Sequence, residues 1–499
     1  MKENIEILSK KCKNKSVVFY CIGNLFEEIY ENFNLNKLFN IKALCDIKFE
    51  SNGFYKGFPS IPTKELKDIS FEYLIIVSPD FDTKEKFLKE NNFLNKKTKI
   101  LNIQQKKEKI NSQKKYEKII KNFKNKEKLK VLFICEQNEK WSYTNLYKAF
   151  KNDEKFEVLP IALFPVTSKG EIIYTQEENK NFFNNLNIDS IDCFDYEKKQ
   201  NIDIKTLKPD IVFYQQPWYL NNCNHPKFVS DYALTIMSPY GYTTLSEKNW
   251  GSNSTKEIYQ NLWLFFAESP YHVKFYKKAA KMKNNLVALG SLKLDNYLEP
   301  IKQNPWKNPQ NLKIIYAPHH SLGLDGLKMS TFDVNYKNFL DFAKNNQNYS
   351  FVFKPHPMLK NAVVEHNLMI KEEYENYSKE WQNLKNSSIY NKGEYFDLFK
   401  TSDILITDCS SFLAEYYPTK KPIIFLNRKD RAPFDSFGEK LKKGFYEVQN
   451  FNEIENLIKE IIKNDKLFKT REKIIKKEFF MDDLTYKKIH SYIVNRLFS

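Results

Sequence analysis

Three short polar motifs in this sequence have the residue types that bind or transfer a phosphate group. They read APHHS (residues 317–321), KPHP (354–357) and TDCSS (407–411), and each follows an apolar run typical of a buried strand. The carboxyl ends of parallel strands lie at one edge of a sheet, where α/β proteins bind their ligands. We therefore expect the three motifs to meet in one site.

The histidines of the first two motifs are the candidate catalytic groups. His319 and His320 precede Ser321, and His356 stands between two prolines that restrict its backbone. An imidazole can act as a general base near neutral pH or donate a hydrogen bond to a phosphate oxygen. Lys354 adds a cation suited to phosphate. Structural turns are the alternative for both motifs.

The third motif lies where a predicted strand ends and a helix begins. The first turn of a helix exposes free N–H groups, and neighbouring hydroxyls add donors, so a diphosphate could bind there without a glycine-rich loop. A helix cap formed by Asp408 or Ser410 is the alternative. Glu415, one turn beyond, could accept hydrogen bonds from sugar hydroxyls. The predicted donor-binding residues are Ser321, Lys354, Thr407, Asp408, Ser410, Ser411 and Glu415.

Strands and helices alternate around these motifs, over residues 301–499. The predicted strands are Leu312–Tyr316, Phe351–Lys354, Ile404–Thr407 and Ile423–Leu426. The predicted helices are Tyr336–Asn345, Tyr395–Thr401 and Ser411–Tyr417. Such alternation predicts a parallel sheet with right-handed crossovers.

A second α/β region precedes this one, over residues 130–300. Its predicted strands are Lys130–Cys135, Phe156–Leu163, Asp210–Tyr214, Leu262–Ala267 and Leu286–Leu289. Two loops rich in proline and aromatic residues follow strands here, QQPWY (215–219) and SPYGY (238–242). The Pro- and Asn-rich stretch 299–311 predicts a domain boundary or hinge.

Residues 1–102 predict an additional small α/β domain. The apolar run Ser16–Ile22 leads into Gly23 and a helical pattern over Leu25–Phe33. Asp46 lies roughly where a dinucleotide fold places its ribose-binding acid, but a single glycine is not a GxGxxG motif. A ligand-free domain and a nucleotide-binding domain are both open. Residues 103–129, rich in lysine, predict a basic helical linker that is solvated or contacts anionic lipid.

The composition excludes several classes of protein. Apolar residues make up 41% and aromatic residues 15% of the 499 residues, enough to bury real cores. The seven cysteines are scattered singly, which indicates neither a zinc site nor a disulfide framework. No apolar run approaches the ~20 residues of a membrane span, and no signal peptide is evident. The net charge of +17 suits a phosphate-rich substrate or an anionic membrane. A nucleic-acid partner is not expected, because the lysines are spread widely.

In this order and spacing, the three motifs resemble those of the CDP-glycerol glycerophosphotransferase family, the teichoic-acid polymerases and primases. That family carries an APTWR-like loop, a basic-x-His-Pro element and a TDYSS element followed by an acidic residue. Here these read APHHS, KPHP and TDCSSFLAE (407–415), and the likeness covers about residues 130–430. The resemblance implies an α/β fold with a GT-B-like pair of Rossmann-like domains, preceded here by the additional N-terminal Rossmann-like domain.

The sequence departs from the family pattern on the acceptor side. The acidic residue is Glu415 where the family usually has Asp, and the loop that corresponds to the family's WHG-like loop is SPYGY, which has no histidine. Acceptor contacts are expected on Gln215, Tyr240 and Tyr242, and catalytic roles on His319, His320 and His356. Either the base has moved to His319 or His320, or the acceptor differs from that of the family.

The resemblance implies a transferase that moves a polyol phosphate group from a CDP-activated donor to an acceptor hydroxyl. The product would be a bacterial surface polymer such as capsule, a teichoic-acid-like chain or lipopolysaccharide, on a saccharide or lipid-linked acceptor. A GT-B glycosyltransferase that uses a nucleotide sugar is the alternative. We expect no metal, no obligatory cofactor, and a cytoplasmic location with or without peripheral contact with the inner face of the membrane.

Overall fold

The computed structural model of the chain divides into two units, residues 1–111 and 112–499. Parts of two predicted features, residues 104–111 of the linker and 218–219 of the QQPWY loop, lie outside the described residues. The structure describes residues 2–78, 81–95, 97–103, 112–164, 176–217, 223–246, 253–282, 285–323, 327–391 and 393–498.

The first unit is a six-stranded sheet flanked by helices. Its strands are β1 (Ser16–Tyr20), β2 (Asn40–Asp46), β3 (Gly53–Tyr55), β4 (Phe58–Pro62), β5 (Tyr73–Ile76) and β6 (Lys99–Asn102). Its helices are α1 (Lys2–Lys11), α2 (Asn24–Asn32), α3 (Leu35–Leu38) and α4 (Phe81–Glu90). The strand order is β3-β4-β2-β1-β5-β6, and every pair except β3–β4 is parallel.

The carboxyl edge of this sheet lines a cavity of about 360 Å³ beside Gly23 and Asp46. The Asp46 carboxylate is already engaged, because its two oxygens accept the backbone N–H groups of Ile22 at 2.5 Å and Lys48 at 3.0 Å. The side chain that would bind a ribose in a nucleotide-binding domain therefore caps its own loop.

The first half of the second unit contains an eight-stranded sheet and a separate antiparallel pair, β11–β12. The strands are β7 (Leu129–Cys135), β8 (Phe156–Val158), β9 (Ile161–Leu163), β10 (Ser190–Asp192), β11 (Phe194–Asp195), β12 (Gln200–Asn201), β13 (Ile211–Tyr214), β14 (Leu234–Met237), β15 (Leu264–Ala267) and β16 (Leu286–Ala288). The helices are α5 (Ser112–Phe123), α6 (Thr144–Lys151), α7 (Gln176–Asn185), α8 (Pro226–Val229), α9 (Asn253–Gln260) and α10 (Pro270–Ala279).

The sheet is parallel and runs β10-β9-β7-β13-β14-β15-β16, with β8 also paired to β7. The single strand predicted over Phe156–Leu163 is two short strands, β8 and β9. Pro160 stands between them and has no N–H to donate to a ladder.

The second half of this unit is a six-stranded parallel sheet with helices. Its strands are β17 (Leu312–Ala317), β18 (Tyr349–Phe353), β19 (Ser387–Ile389), β20 (Ile404–Thr407), β21 (Ile423–Leu426) and β22 (Tyr446–Val448). The helices are α11 (Phe332–Asn345), α12 (Leu359–Glu365), α13 (Lys371–Asn383), α14 (Phe396–Thr401), α15 (Ser410–Tyr416), α16 (Ser436–Lys442), α17 (Ile454–Lys463), α18 (Phe468–Glu478) and α19 (Thr485–Phe498).

Strand order identifies both halves as Rossmann-like. The last sheet runs β19-β18-β17-β20-β21-β22, which is third, second, first, fourth, fifth and sixth in chain order. The eight-stranded sheet has the same reversal between β7 and β13. Ligands of such sheets bind at the carboxyl ends of the two strands that flank the reversal, the topological switch point. The predicted fold is confirmed, with two Rossmann-like domains preceded by a third.

Two helices depart from the predicted domain bounds. Helix α19 lies within the predicted domain 301–499. Its residues Ile489 and Ile493, however, are fully buried in the hydrophobic core of the first half of the unit. In α5, assigned to the linker, Tyr116 and Ile119 join the same core, and the Tyr116 hydroxyl donates to the backbone of Asn261 at 2.6 Å. The described part of the linker is therefore a packed element. Among the described residues, no helix combines the length and the apolar character needed to cross a membrane.

Candidate active site

The three sequence motifs meet at the switch point of the last sheet. APHHS begins at the last residue of β17, TDCSS begins at the last residue of β20, and KPHP directly follows β18. These three strands are neighbours in the sheet. The imidazole rings of His319, His320 and His356 form one cluster, with centroids 4.3, 4.1 and 5.1 Å apart for the pairs 319–320, 320–356 and 319–356. The expectation that the strand ends bring these residues together is met for the histidines.

Two of the three imidazoles are fixed as hydrogen-bond donors. Nδ1 of His319 accepts the backbone N–H of Ser321 at 3.2 Å, and Nδ1 of His356 accepts that of Met358 at 3.1 Å. In a neutral imidazole the remaining proton then lies on Nε2. Burial, together with the neighbouring imidazoles, holds the pKa of His319 well below its usual range, and burial lowers the pKa of His356 to about 3. Both rings are therefore neutral at pH 7 and carry an Nε2–H.

Lys354 is a buried cation surrounded by aromatic rings. Its ammonium lies 4.9 Å from the ring centroid of Tyr395, 5.4 Å from that of Tyr390 and 5.6 Å from that of Phe412. Burial lowers the pKa of Lys354 to about 8. The ring faces favour the charged form, so at neutral pH the site keeps a buried, positively charged ammonium.

Asp408 acts inside the domain. It is fully buried, and its oxygens accept the backbone N–H of His319 at 2.6 Å and the backbone N–H and hydroxyl of Thr331 at 2.6 and 2.9 Å. Burial raises the pKa of Asp408 to about 7, and these hydrogen bonds oppose that effect. These three hydrogen bonds let Asp408 hold the histidine loop. Its predicted phosphate contact stays a prediction.

The hydroxyls of the motifs divide into two groups. Thr407 donates to the backbone of Ala317 at 2.6 Å, and Ser321 lies 2.7 Å from Nδ1 of His319. Both are fully buried and hold the loops. Their predicted contact with the donor stays a prediction. Ser410 and Ser411 begin α15 and are half-buried, and Ser411 Oγ lies 3.3 Å from Cys409 Sγ. The predicted donor contact of these two serines stays a prediction.

Glu415 joins the two halves of the unit. Its side chain is almost wholly buried, pairs with the Lys293 ammonium at 3.1 Å and accepts a short hydrogen bond from the Tyr395 hydroxyl. A Cβ added at Gly241 would lie 3.0 Å from its Oε1, so the SPYGY loop packs directly on it. Each carboxyl oxygen of Glu415 thus has one partner within the protein. The predicted contact with a sugar hydroxyl stays a prediction.

The predicted acceptor residues lie in the first half of the unit. Tyr242 is buried at the junction of the halves, stacked on Phe437 with ring centroids 5.7 Å apart. Tyr240 lies under the Lys140 ammonium, which is 5.0 Å from its ring centroid. Gln215 is buried, and it fixes the chain after β7 through hydrogen bonds with residues 136 and 137.

Four polar residues at the site were missed by sequence reasoning. Glu136 directly follows β7, so the rule that found the three motifs would also have found it. Gln216, beside the predicted Gln215, lay within a flagged loop. Nothing in the sequence around Lys140 or Lys293 distinguishes them from the other lysines. Only the fold places Lys140 beside Gln216 and Lys293 beside Glu415.

The histidine cluster is also the place where a metal ion could bind. One ring nitrogen from each of His319, His320 and His356 lies within 4.8 Å of the others. Neutral imidazoles are common ligands for zinc and related ions. The sequence-based expectation of no metal stays a prediction.

Comparison with known proteins identifies the family to which the chain belongs. A family model described as CDP-Glycerol:Poly(glycerophosphate) glycerophosphotransferase matches residues 214–496, more than half of the chain. The minor teichoic acid biosynthesis protein GgaB of Bacillus subtilis (strain 168) is 28% identical over 134 residues. That match spans 26% of this chain and only 13% of the length of GgaB.

Two solved structures are among those that match this chain. S. aureus MnaA with UDP has a TM-score of 0.51 and 14% identity, over 74% of this chain and 97% of that chain. The wall teichoic acid polymerase TagF has a TM-score of 0.49 and 14% identity, over 78% of this chain and 98% of that chain. At such identity, the likeness to MnaA supports the fold alone.

Proposed function

Because the chain belongs to the CDP-glycerol:poly(glycerophosphate) glycerophosphotransferase family, we propose that it transfers a glycerol phosphate-type group from a CDP-activated donor to an acceptor hydroxyl. The nearest context is teichoic acid synthesis, because the curated relative is a teichoic acid biosynthesis protein. Capsule and lipopolysaccharide are further contexts that the same chemistry would serve.

The observation that carries this proposal is the histidine cluster beside Lys354 at the switch point, in which His319 and His356 are neutral. A diphosphate placed there would accept hydrogen bonds from Nε2–H of His319 and His356 and face the Lys354 ammonium. Because these groups are held by backbone contacts and aromatic packing, they need little reorganisation when charge develops. The site is thus built for a substrate whose phosphates gain negative charge during the reaction.

The proposed reaction forms one P–O bond and breaks another. The acceptor oxygen attacks the phosphorus next to the glycerol group, and its proton passes to a base. The bond from that phosphorus to the bridging oxygen breaks, and CMP leaves with the electron pair. Lys354 and the histidines stabilise the phosphate oxygens of the leaving group.

A donor screen tests the proposal directly. Purified full-length protein is titrated with CDP-glycerol, CDP-ribitol, CMP, UDP-sugars and GDP-sugars, with the shift in Tm as readout. We expect a shift with CMP and a CDP-polyol, lost in His356→Ala. The control is His366→Ala, which removes an exposed histidine of the same domain. A shift with UDP- or GDP-sugars alone would overturn the proposal.

Product analysis separates this function from glycosyl transfer, the alternative that the sequence leaves open. Reaction with CDP-glycerol and a synthetic glycerol phosphate dimer is expected to give a new phosphodiester signal in the ³¹P NMR spectrum. A glycosidic linkage formed from a nucleotide sugar, without a new phosphodiester, would identify a glycosyltransferase instead.

The location and acceptor class belong to the same proposal. We propose a cytoplasmic enzyme that reaches a lipid-linked or saccharide acceptor through peripheral contact with an anionic membrane, supported by the net charge of +17. Co-sedimentation with phosphatidylglycerol vesicles, and none with phosphatidylcholine vesicles, is the expected result. Equal binding to both, or to neither, would contradict the peripheral contact.

A further inference from the structure

The first half of the second unit has its own switch point, between β7 and β13. Glu136 directly follows β7, and Gln215 and Gln216 directly follow β13. Ser238 directly follows β14, the next strand in the sheet. Four polar side chains therefore gather at the edge where this kind of sheet binds ligands.

Gln215 holds the backbone that carries Glu136. Its Oε1 accepts the N–H groups of Glu136 at 2.9 Å and Gln137 at 3.0 Å, and its Nε2 donates to the Gln137 carbonyl at 2.7 Å. The Tyr143 hydroxyl joins the neighbouring strand ends, since it donates to the Tyr214 carbonyl at 2.7 Å and accepts the Ser238 N–H at 3.0 Å. The Glu136 carboxyl is thus presented from a rigid frame.

The side chains on this frame have unused hydrogen-bonding capacity. Glu136 is only 2% exposed, yet within the described part of the chain neither of its carboxyl oxygens has a hydrogen-bond partner. The same is true of Gln137 Oε1, Gln216 Nε2 and Ser238 Oγ. Each such buried group costs about 1–3 kcal/mol, and native proteins contain few of them without a functional reason. A ligand rich in hydroxyls would satisfy all four residues.

Lys140 connects this edge to the histidine cluster of the other half. Its ammonium donates to Gln216 Oε1 at 3.0 Å. The same positive charge acts on both Glu136 and His356, and lowers the pKa of each. The open groups therefore lie near the site that we propose for the donor phosphates.

Two of the three histidines, His319 and His356, are poorly suited to act as the catalytic base. Nδ1 of His319 and of His356 already accepts a backbone N–H, and Nε2 of each ring carries the proton. Neither ring can take a further proton at neutral pH without losing a contact that fixes it, and burial opposes the charged form of both. His320 is the competing candidate within the cluster.

We propose that Glu136 is the catalytic base that accepts the proton of the acceptor hydroxyl, and that Gln137, Gln216 and Ser238 bind the neighbouring hydroxyls of a polyol acceptor. This inference rests on the proposed transfer of a polyol phosphate. The acceptor O–H bond breaks, its proton moves to the Glu136 carboxylate, and its oxygen forms the new bond to phosphorus. CMP leaves, and the Glu136 proton returns to solvent after the product departs.

The pH dependence follows from the burial of Glu136. Burial raises its pKa well above the usual range for a carboxyl, and the Lys140 ammonium opposes this. In the part of the chain that the structure describes, the hydroxyls of Tyr143 and Tyr214 also interact with it, and both stay protonated because burial raises the pKa of each. A base must be deprotonated to act, so kcat/KM rises with pH as Glu136 loses its proton.

The test compares full-length Glu136→Gln, Glu136→Ala and His320→Gln with the wild type. The assay follows CMP release from CDP-glycerol with a synthetic glycerol phosphate dimer as acceptor. In Glu136→Gln we expect kcat to fall about 10²–10⁴-fold, the usual contribution of a general base, with the Kd for CMP unchanged. The rising limb of the pH profile disappears, and added formate partly restores the rate of Glu136→Ala.

A matched control removes another buried carboxylate of the same sheet. Asp210 lies at the amino end of β13 and binds the Lys130 N–H at 2.9 Å, so Asp210→Asn lowers Tm but keeps the pH profile. If Glu136→Gln keeps kcat within about threefold, or if His320→Gln alone removes the pH limb, the inference is wrong while the proposed function stands. A wild type that neither binds CMP nor releases it from CDP-glycerol would instead overturn the proposed function.

Discussion

The two switch points of the second unit share one strand order but satisfy their polar side chains differently. After β17 and β20, His319, Ser321 and Asp408 bind one another or nearby backbone. After β7 and β13, Gln215 is satisfied by backbone, whereas Glu136 and Gln216 Nε2 have no described partner. The edge after β17 is preorganised, with neutral imidazole donors beside the Lys354 cation. The edge after β7 has a carboxyl acceptor and an amide donor that could bind a second substrate.

This difference matches the needs of the two proposed substrates. A diphosphate carries its own charge and is best met by donors that are already oriented, since reorganisation would cost catalytic power. A polyol hydroxyl is neutral and must lose a proton, so it needs a nearby group that can accept one. The predictions below test this division of roles, from the largest expected effect to the smallest.

His356 offers the largest effect on the donor side. His356→Ala is expected to lower kcat/KM about 10²–10³-fold, as for loss of one preorganised donor. His356→Gln should recover a large part of this loss, because an amide N–H can take the place of Nε2–H. CMP-release kinetics measure both variants. Equal inactivity of the two variants would mean that the ring accepts a proton and is not a fixed donor.

Lys354→Met separates charge from packing. A hydrogen bond to a charged group contributes about 1.5–3 kcal/mol, so the Kd for CMP should rise about 10–100-fold. The Tm without ligand should not fall, because a buried ammonium is exchanged for an apolar chain of similar length. Calorimetric titration and thermal unfolding measure the two quantities. Lys344→Met is the surface control, and a lower Tm with unchanged CMP binding would assign Lys354 a structural role.

The pH dependence of donor binding should follow Lys354. Its pKa is lowered to about 8 by burial, so the ammonium is charged below pH 8 and neutral above it. The Kd for CMP is therefore expected to rise about tenfold between pH 7 and pH 9, while the CMP phosphate stays fully ionised. Lys354→Met should flatten this profile. An unchanged slope in the variant would trace the effect to another group.

Gln215→Leu tests the frame on the acceptor side. Loss of the hydrogen bonds to residues 136 and 137 should shift the carboxyl and lower kcat about fivefold, equivalent to about 1 kcal/mol, with donor Kd unchanged. The rising pH limb should remain, because Glu136 itself is intact. Steady-state kinetics at several pH values measure this split. A variant that loses CMP binding to the same extent would indicate general unfolding of the edge.

Metal removal is expected to have no effect. Dialysis against EDTA should leave kcat/KM unchanged, because Lys354 and the Nε2–H donors already supply positive potential at the phosphates. Loss of activity that returns with added zinc would show that His319, His320 and His356 hold a metal ion instead.

Much of the fold followed from local patterns. The predicted strands Ile404–Thr407 and Ile423–Leu426 have the observed bounds, because a short apolar run between polar turns suits a buried parallel strand. Helix α11 begins at Phe332, four residues before the predicted start, and its N-cap Thr331 donates to Asp408 instead of capping the helix. The break at Pro160 was missed because apolar residues continue on both sides of it.

Local patterns identified the residues of the candidate site but not all of their roles. His319, His356 and Lys354 follow strands in conspicuous proline-bounded motifs, so position and residue type together marked them. Asp408 and Glu415 lay in the right motif, but their roles depended on partners that the motif does not contain. Thr331 and Lys293 are those partners.

By itself, the sequence determined the strand–helix alternation and the polar groups that follow each strand, because both depend on neighbours along the chain. Tertiary structure alone decided which of those groups meet, which are neutral and which lack a partner. Glu136 and Gln215 are 79 residues apart, and Lys293 and Glu415 are 122 residues apart. Burial and pairing at such separations are set by strand order and by the packing of one domain against another. The spacing of residues along the sequence therefore does not reveal which side chains are buried or paired.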